Sequence, residues 1–262
     1  MVDYRSVSQY KTYTACPYQY YLQRIERAPQ RPAAWLAQGT ADHAAFEAYE
    51  RSGRTMTLED MQAVYSESYD EEINKICENT PDFDTWFASG PYGGRADTER
   101  RYQLGMDQCK RYIDWYEKHP QEVIWIAPDG TPGIELGFDI DLDGVQVKGY
   151  IDAVVVNADY GIEAPIVRDN KTGNLPGDDF QLATYAVALN KTYSTDIALG
   201  DYWMGRTGKP TFSYDLSEWT EERLTDAFGQ MDEGVRNEHF DPDPEPAKCR
   251  FCSVAQSCKY SA

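Results

Sequence analysis

The stretch that decides the fold is IELGFDIDLDGVQVKGYIDAVVV, residues 134–156. Apolar and polar residues alternate on both sides of Asp143-Gly144, a two-residue turn signal that predicts a tight hairpin of type I′. With Leu142 opposite Val145, opposed residue numbers sum to 287, and Glu135 falls directly across from Asp152. Leu136, Phe138, Ile140, Val147 and Ile151 then point to the other face. Two carboxylates in direct opposition repel and weaken a hairpin unless a cation lies between them. In a register without a bulge, the pattern therefore argues for a metal.

The next apolar run, IVRDNK (166–171), ends in a third acid, Asp169, with Lys171 two residues on. Side chains two apart on a strand share a face. One member of such a pair can hold a cation while the other activates or orients a nucleophilic water. A helix follows, placing Gln181 and Tyr185 on one face, and Asp178 with Gln181 reads as an N-terminal capping pair. Tyr185 alternates with Leu182 and Leu189, so burial would also explain it.

Working outward, the period is helical before residue 119 and two-residue from Glu122. Ser6 or Ser8 can cap a first short helix, and Pro17 suits the first turn of the next. Thr40 is placed to cap a helix running to about Arg51, and Thr57 another to about Cys77. Residues 80–94 read as a loop, and 96–118 as a helix again. A strand is expected near DIALGDYWM, and then a helix from Ser217 with Leu224, Phe228, Met231 and Val235 along one side. The proline-punctuated FDPDPEPAK reads as extended. The expected division is a mostly helical region 1–118, an α/β core 119–215, and a closing segment 216–262.

The 262 residues, 41% hydrophobic and 13% aromatic, suffice for a sizeable core. No apolar run reaches membrane-spanning length and no signal segment opens the chain, so a cytoplasmic protein without a membrane partner is expected. The net charge of −19 argues at first against a nucleic-acid partner. Residues 1–31, however, hold five bases against two acids, and residues 248–262 hold Lys248, Arg250 and Lys259 with no acid.

Those two basic islands also carry Cys16 and the C-x2-C-x5-C set Cys249, Cys252 and Cys258. Two thiolates three residues apart can grip a metal centre from one turn, a third can close the shell, and Cys16 is the natural fourth. Such a staple would tie the termini together and merge the basic islands, as a disulfide would in an oxidising compartment. A [4Fe–4S] cluster and zinc both accept four thiolates, and spacing leaves the choice open. Cys77 and Cys109 read as ordinary buried thiols.

GYIDAV (149–154), DNK (169–171) and QLATY (181–185) together resemble the active-site signature of PD-(D/E)XK nucleases, and more narrowly their RecB-like branch. GTADHAAFE (39–47) is similar to the upstream helix that carries that branch's histidine. The four cysteines resemble the iron–sulfur staple of Cas-four-type and AddB-type exonucleases. The resemblance spans Cys16 to Cys258.

It implies a restriction-endonuclease-like α/β core, a mixed central sheet flanked by helices. His43, Asp152 and Asp169, with the Asn170 carbonyl, would hold Mg²⁺ or Mn²⁺; a histidine in the set leans towards manganese. Glu135 would serve a second ion or a water beside the first. Lys171 would steady the attacking water and the charge developing on phosphate, while Gln181 and Tyr185 would position the strand or the lysine. Taken alone, His43 reads as a satisfied core histidine; its motif makes it a ligand, with Glu47 one turn on to orient the ring. Tyr18, Tyr20 and Tyr21 read as packing rather than base stacking, and Arg100 and Arg101 as phosphate contacts or a solvated face.

The implied function is a DNA exonuclease acting on single-stranded ends, in phage or bacterial recombination, repair or CRISPR spacer processing. A helicase or recombination partner would fit, in a bacterial host's cytoplasm if phage-encoded; the oligomeric state stays open. The rival is a catalytically silent DNA-end-binding or assembly subunit that keeps the fold and cluster. The complete set of His43, Asp152, Asp169 and Lys171 argues against it.

Overall fold

The computed structural model describes residues 4–157, 162–173 and 175–262. Asp3, counted in the N-terminal charge balance, lies outside them. A mixed sheet flanked by helices forms the expected α/β, restriction-endonuclease-like architecture.

The sequence-decisive hairpin is β2 (Ile134–Leu142) and β3 (Val145–Asn157). Asp143 (φ 51°) and Gly144 (φ 85°) both take the left-handed conformation that a type I′ turn requires. Three pairs confirm the register summing to 287. Val154 N donates to Gly133 O at 2.8 Å. Gly137 and Gly149 leave room for the rings of Tyr150 and Phe138 respectively. The predicted apolar face is buried along both strands.

The chain divides into two compact units. One comprises Ala33–Gly137 and Tyr150–Glu218. Here β3 pairs antiparallel with β1 (Glu122–Ile124) and β4 (Ile162–Lys171), and β4 pairs parallel with β5 (Leu199–Met204). The short strands β6 (Lys209–Pro210) and β7 (Tyr214–Asp215) pair with β5. Alternation puts Arg168, Asn170, Asp201 and Trp203 on one face and Asp152, Asp169, Lys171 and Tyr202 on the other.

Helices α3 (Ala34–Arg51), α4 (Leu58–Asn79) and α5 (Gly94–Lys118) share an aromatic-rich core with Trp203. Phe46 stacks on Tyr112 at 4.1 Å between ring centres. Beneath this core the Arg168 guanidinium is buried between Glu122 and Asp201, with Tyr116 as a further partner. Helix α6 (Asp179–Tyr193) packs against β4 and β5.

The helix starts differ instructively. Thr57 caps α4 as expected, accepting from Asp60 N. Thr40 caps nothing: α3 begins six residues earlier, after Ala33, and the Thr40 hydroxyl bonds back to Leu36 O. The apolar stripe of Ala34, Ala37 and Ala41 extends the helix past the better capping residue. Asp178 occupies the N-cap of α6 without a side-chain capping bond.

The other unit comprises the described residues of Met1–Pro32, Phe138–Gly149 and Trp219–Ala262. It contains α1 (Val7–Ala15), capped by Ser6, then α2 (Pro17–Tyr20), which opens on Pro17 and leads into a π-helical turn, Tyr21–Ile25. It also holds α7 (Glu221–Arg236) and the short α8 (Pro246–Cys249). Leu224, Phe228, Met231 and Val235 of α7 are all buried. Arg5 pairs with Asp232 at 2.6 Å. The two ends of the chain meet here through Arg31 N to Ser253 O at 2.6 Å and Gln23 Nε2 to Ser253 Oγ at 2.9 Å. Tyr20 is buried and Tyr18 packs on Tyr21 and Tyr260, so these tyrosines are packing residues.

Among the described residues, no helix is long and apolar enough to cross a membrane.

Candidate active site

Four elements of the first unit deliver the predicted residues to one place. Helix α3 supplies His43, β2 supplies Glu135, β3 supplies Asp152, and the end of β4 supplies Asp169, Asn170 and Lys171. His43 Nδ1 lies 3.4 Å from Asp152 Oδ1 and 3.6 Å from Glu135 Oε1, while Nε2 lies 3.1 Å from the Asn170 carbonyl. Ligand atoms of His43, Glu135 and Asp152 all fall within 4.8 Å of one another. This group could hold a divalent metal ion. The donors are carboxylates and an imidazole, with a carbonyl alongside, which suits Mn²⁺ and Mg²⁺ rather than a thiophilic ion.

Glu135 is thus nearer the histidine than Asp169 is, although its role was the less defined one. It reaches the group from a strained backbone, at φ 44°. A non-glycine residue held there costs about 1–3 kcal/mol, and such strain gathers at functional sites. Nothing in the sequence signals this conformation.

Asp169 belongs to a second set of contacts. Its Oδ2 lies 2.6 Å from Lys171 Nζ, and its Oδ1 accepts from Gln181 Nε2 and, at 3.3 Å, from Tyr185 Oη. Gln181 Nε2 also donates to Tyr185 Oη at 2.9 Å, and its Oε1 accepts from Lys171 at 3.3 Å. The Asp152 carboxylate is fixed by Asn170 N at 2.6 Å. Tyr185 is buried, as its alternation with Leu182 and Leu189 predicts, and its hydroxyl also contacts the acid.

The electrostatics follow from burial. Desolvation and the neighbouring Asp152 charge push Asp169 up to about 6, against the pull of Lys171 and His43. At His43 burial opposes the proton, but Asp152, Glu135 and Asp169 outweigh it and hold the imidazole well above its ordinary value. A site that raises proton affinity at both groups is one that lacks positive charge, which a cation would supply.

Tyr202 was missed by sequence reasoning. It sits beside Asp169 in register, and its ring lies 5.4 Å from Lys171 Nζ. Its hydroxyl donates to Asp178 O at 2.5 Å, tying the start of α6 to the sheet. Parity across β4 and β5 is the signal that could have found it. Asp42, next to His43, is fully buried and pushed up to about 8 by desolvation.

Other expectations are corrected. Glu47 does not orient His43; it pairs with Arg51 at 2.7 Å, a closer partner one turn on. Arg100 and Arg101 both pair with buried Asp97, and Arg101 also reaches Gln38 and Ser89, so these cations serve the fold. Cys109 is buried, but Cys77 is only half-buried.

The four terminal cysteines, in the second unit, are free thiols lining one cavity with Leu22, Pro244 and Val254. They are not gathered as one-ion ligands. Among the described residues no three of their sulfurs lie within 4.8 Å of one another. Thiols are weak hydrogen-bonding groups, so nothing in the polypeptide alone draws four together. Cys16 Sγ instead accepts from Asp243 N at 3.5 Å. Burial pushes the Cys252 thiol up, and the neighbouring Cys258, Cys16 and Cys249 add to the shift.

Comparison with known proteins gives the family. A family model described as the PD-(D/E)XK nuclease superfamily matches residues 4–259. The Gene 69 protein of Mycobacterium phage D29 is 48% identical over 97% of this chain and 96% of its own length. The Gene 69 protein of Mycobacterium phage L5 is 44% identical over 98% of this chain and 97% of its own. By sequence along almost its whole length, the chain belongs to the PD-(D/E)XK nuclease superfamily.

Proposed function

We propose that the protein is a metal-dependent DNA exonuclease that hydrolyses phosphodiester bonds at single-stranded ends. The observation that carries the reading is the convergence of His43, Glu135 and Asp152 beside the Asp169–Lys171 pair. A silent end-binding subunit would have little reason to keep His43, Asp152, Asp169 and Lys171 together.

His43, Glu135 and Asp152, with the Asn170 carbonyl beside them and Asp169 close by, would hold the ion. When bound there, Mn²⁺ or Mg²⁺ supplies Lewis acidity and lowers the pKa of the attacking water. The protein's own groups do the rest. Lys171 donates to phosphate oxygens as negative charge develops. Gln181 bridges Asp169 and Lys171, fixing both at once, and Tyr185 closes the same network from the apolar side. Asn170 N holds Asp152 in one rotamer.

For the cysteines we infer a [4Fe–4S] cluster, with zinc as the runner-up. The C-x2-C-x5-C spacing and the shared cavity support it. We infer a role in recombination or repair, with a helicase as a fitting partner; the mycobacteriophage relatives suit a host's cytoplasm.

The test is cleavage of end-labelled linear and circular single-stranded DNA with Mn²⁺, with Mg²⁺ and with chelator. Metal-dependent loss of the linear form alone, absent in Asp152→Ala, is expected. No cleavage by the wild-type protein in any lane would overturn the assignment.

A further inference from the structure

Tyr150 is two residues from Asp152 on β3, so the two side chains share the face that carries the candidate metal ligands. Directly across the hairpin is Gly137, itself two residues from Glu135. The glycine leaves the ring nothing to stand against but backbone. A Cβ at position 137 would come within 3.2 Å of Tyr150 Cε1. The ring therefore lies over the strand at Gly137, on the face that alternation gives to Glu135 and Asp152, and it is 68% exposed. Most tyrosines near the site are used otherwise: Tyr185 and Tyr202 are buried, and each spends its hydroxyl on a protein partner.

We propose that Tyr150 is a stacking platform for a nucleobase of the single strand whose phosphate is held at the metal ligands. This rests on the nuclease reading above. An aromatic face next to the group that holds the phosphate can take a base without regard to its identity, as suits a sequence-tolerant enzyme. It also offers the strand an uncharged contact in a neighbourhood of three carboxylates, Glu135, Asp152 and Asp169. A ring over a strand glycine can instead serve only to shield the hairpin backbone, which is a role in stability alone.

The experiment separates these roles by competition. Cleavage of a labelled single strand with Mn²⁺ is inhibited by unlabelled dT12 or by a twelve-unit strand of abasic deoxyribose phosphates. One stacked base corresponds to roughly a tenfold preference for dT12 over the abasic strand in the wild-type protein. Tyr150→Phe should keep that preference and Tyr150→Leu, which still covers Gly137, should abolish it while leaving the melting temperature in place. An unchanged preference in Tyr150→Leu, or equal loss of affinity for both competitors, would overturn the stacking role with the nuclease assignment intact. A wild-type protein that cleaves no strand would overturn both.

Discussion

Lys171 Nζ and Asp169 Oδ2 lie 2.6 Å apart on one face of β4, and Gln181 touches both residues. The lysine is held by an acid rather than left to swing in solvent, so its charge is in place before a phosphate arrives. Lys171→Met keeps the stem and removes the charge. It should lower kcat by at least about a hundredfold, in line with loss of one preorganised donor to a developing anion. Mn²⁺ binding by calorimetry should persist, since Lys171 is no ligand. Cleavage near the wild-type rate would remove the chemistry from this site.

Proton affinity at the same site sets a pH dependence for metal loading. Asp169 is raised to about 6 and His43 well above its ordinary value, so in the proposed site both would have to shed protons as the ion binds. Mn²⁺ affinity should therefore rise with pH, being at least roughly tenfold weaker at pH 5.5 than at 7.5. Calorimetry in buffers of different ionisation enthalpy should show protons released on binding near pH 6.5. Affinity that is flat across that range would mean that the ion binds elsewhere.

On the sheet face opposite the candidate site, Arg168 neutralises two buried acids, and its two partners respond oppositely. At Asp201 burial wins and the carboxyl is raised; at Glu122 burial is outweighed by Arg168, and the carboxyl is held below its ordinary value. Arg168→Met would leave Glu122 and Asp201 buried without a cation, at a cost of about 3–5 kcal/mol. Thermal melts in chelator should show a drop on the order of 10 °C. A melting point within two or three degrees (~1 kcal/mol) of wild type would show that water reaches the pair.

The lowered Glu122 gives the acid side of the stability curve. A carboxyl with a depressed folded pKa stabilises the protein above its unfolded value, and that stability is lost as pH falls through the folded one. Its contribution is complete above about pH 4.5 and disappears below it. Glu122→Gln should be less stable at neutral pH and lose less between pH 4.5 and 3. Parallel curves for the two proteins would place the acid-labile group elsewhere.

The parts of the site that were legible in the sequence are those fixed by parity and a short turn. Asp143-Gly144 locks the hairpin register, so Glu135 opposite Asp152 follows from counting, and Lys171 beside Asp169 follows from alternation. What stayed hidden depends on partners far apart in the chain. Arg168 sits between Glu122 and Asp201, 46 and 33 residues away, and no local pattern announces such a network. The positive φ of Glu135 is imposed by its surroundings. Spacing alone offers Glu47 two partners within one turn, His43 and Arg51, and it pairs with the permanent cation, Arg51. The cysteine spacing predicts four thiolates closing one metal shell; the four thiols line one cavity but are not gathered into such a shell, and the distance between sulfurs depends on what binds them.

That dependence can be measured at Cys252, whose thiol is raised by burial and by the three other cysteines. Metal binding must displace these protons, so the bound group would stabilise the fold that holds the sulfurs. Protein purified without oxygen should be brown and carry about four irons per chain; a colourless protein with one zinc would select the runner-up. Cys252→Ser should bleach the colour and lower the melting temperature on the order of 10 °C. It should not unfold the unit outright, because Arg31 and Gln23 already join the two ends at Ser253 without any metal. A Cys252→Ser protein with full absorbance and unchanged melting would refute the staple. A colourless, metal-free wild-type protein that melts like the variant would show that hydrogen bonds alone tie the termini.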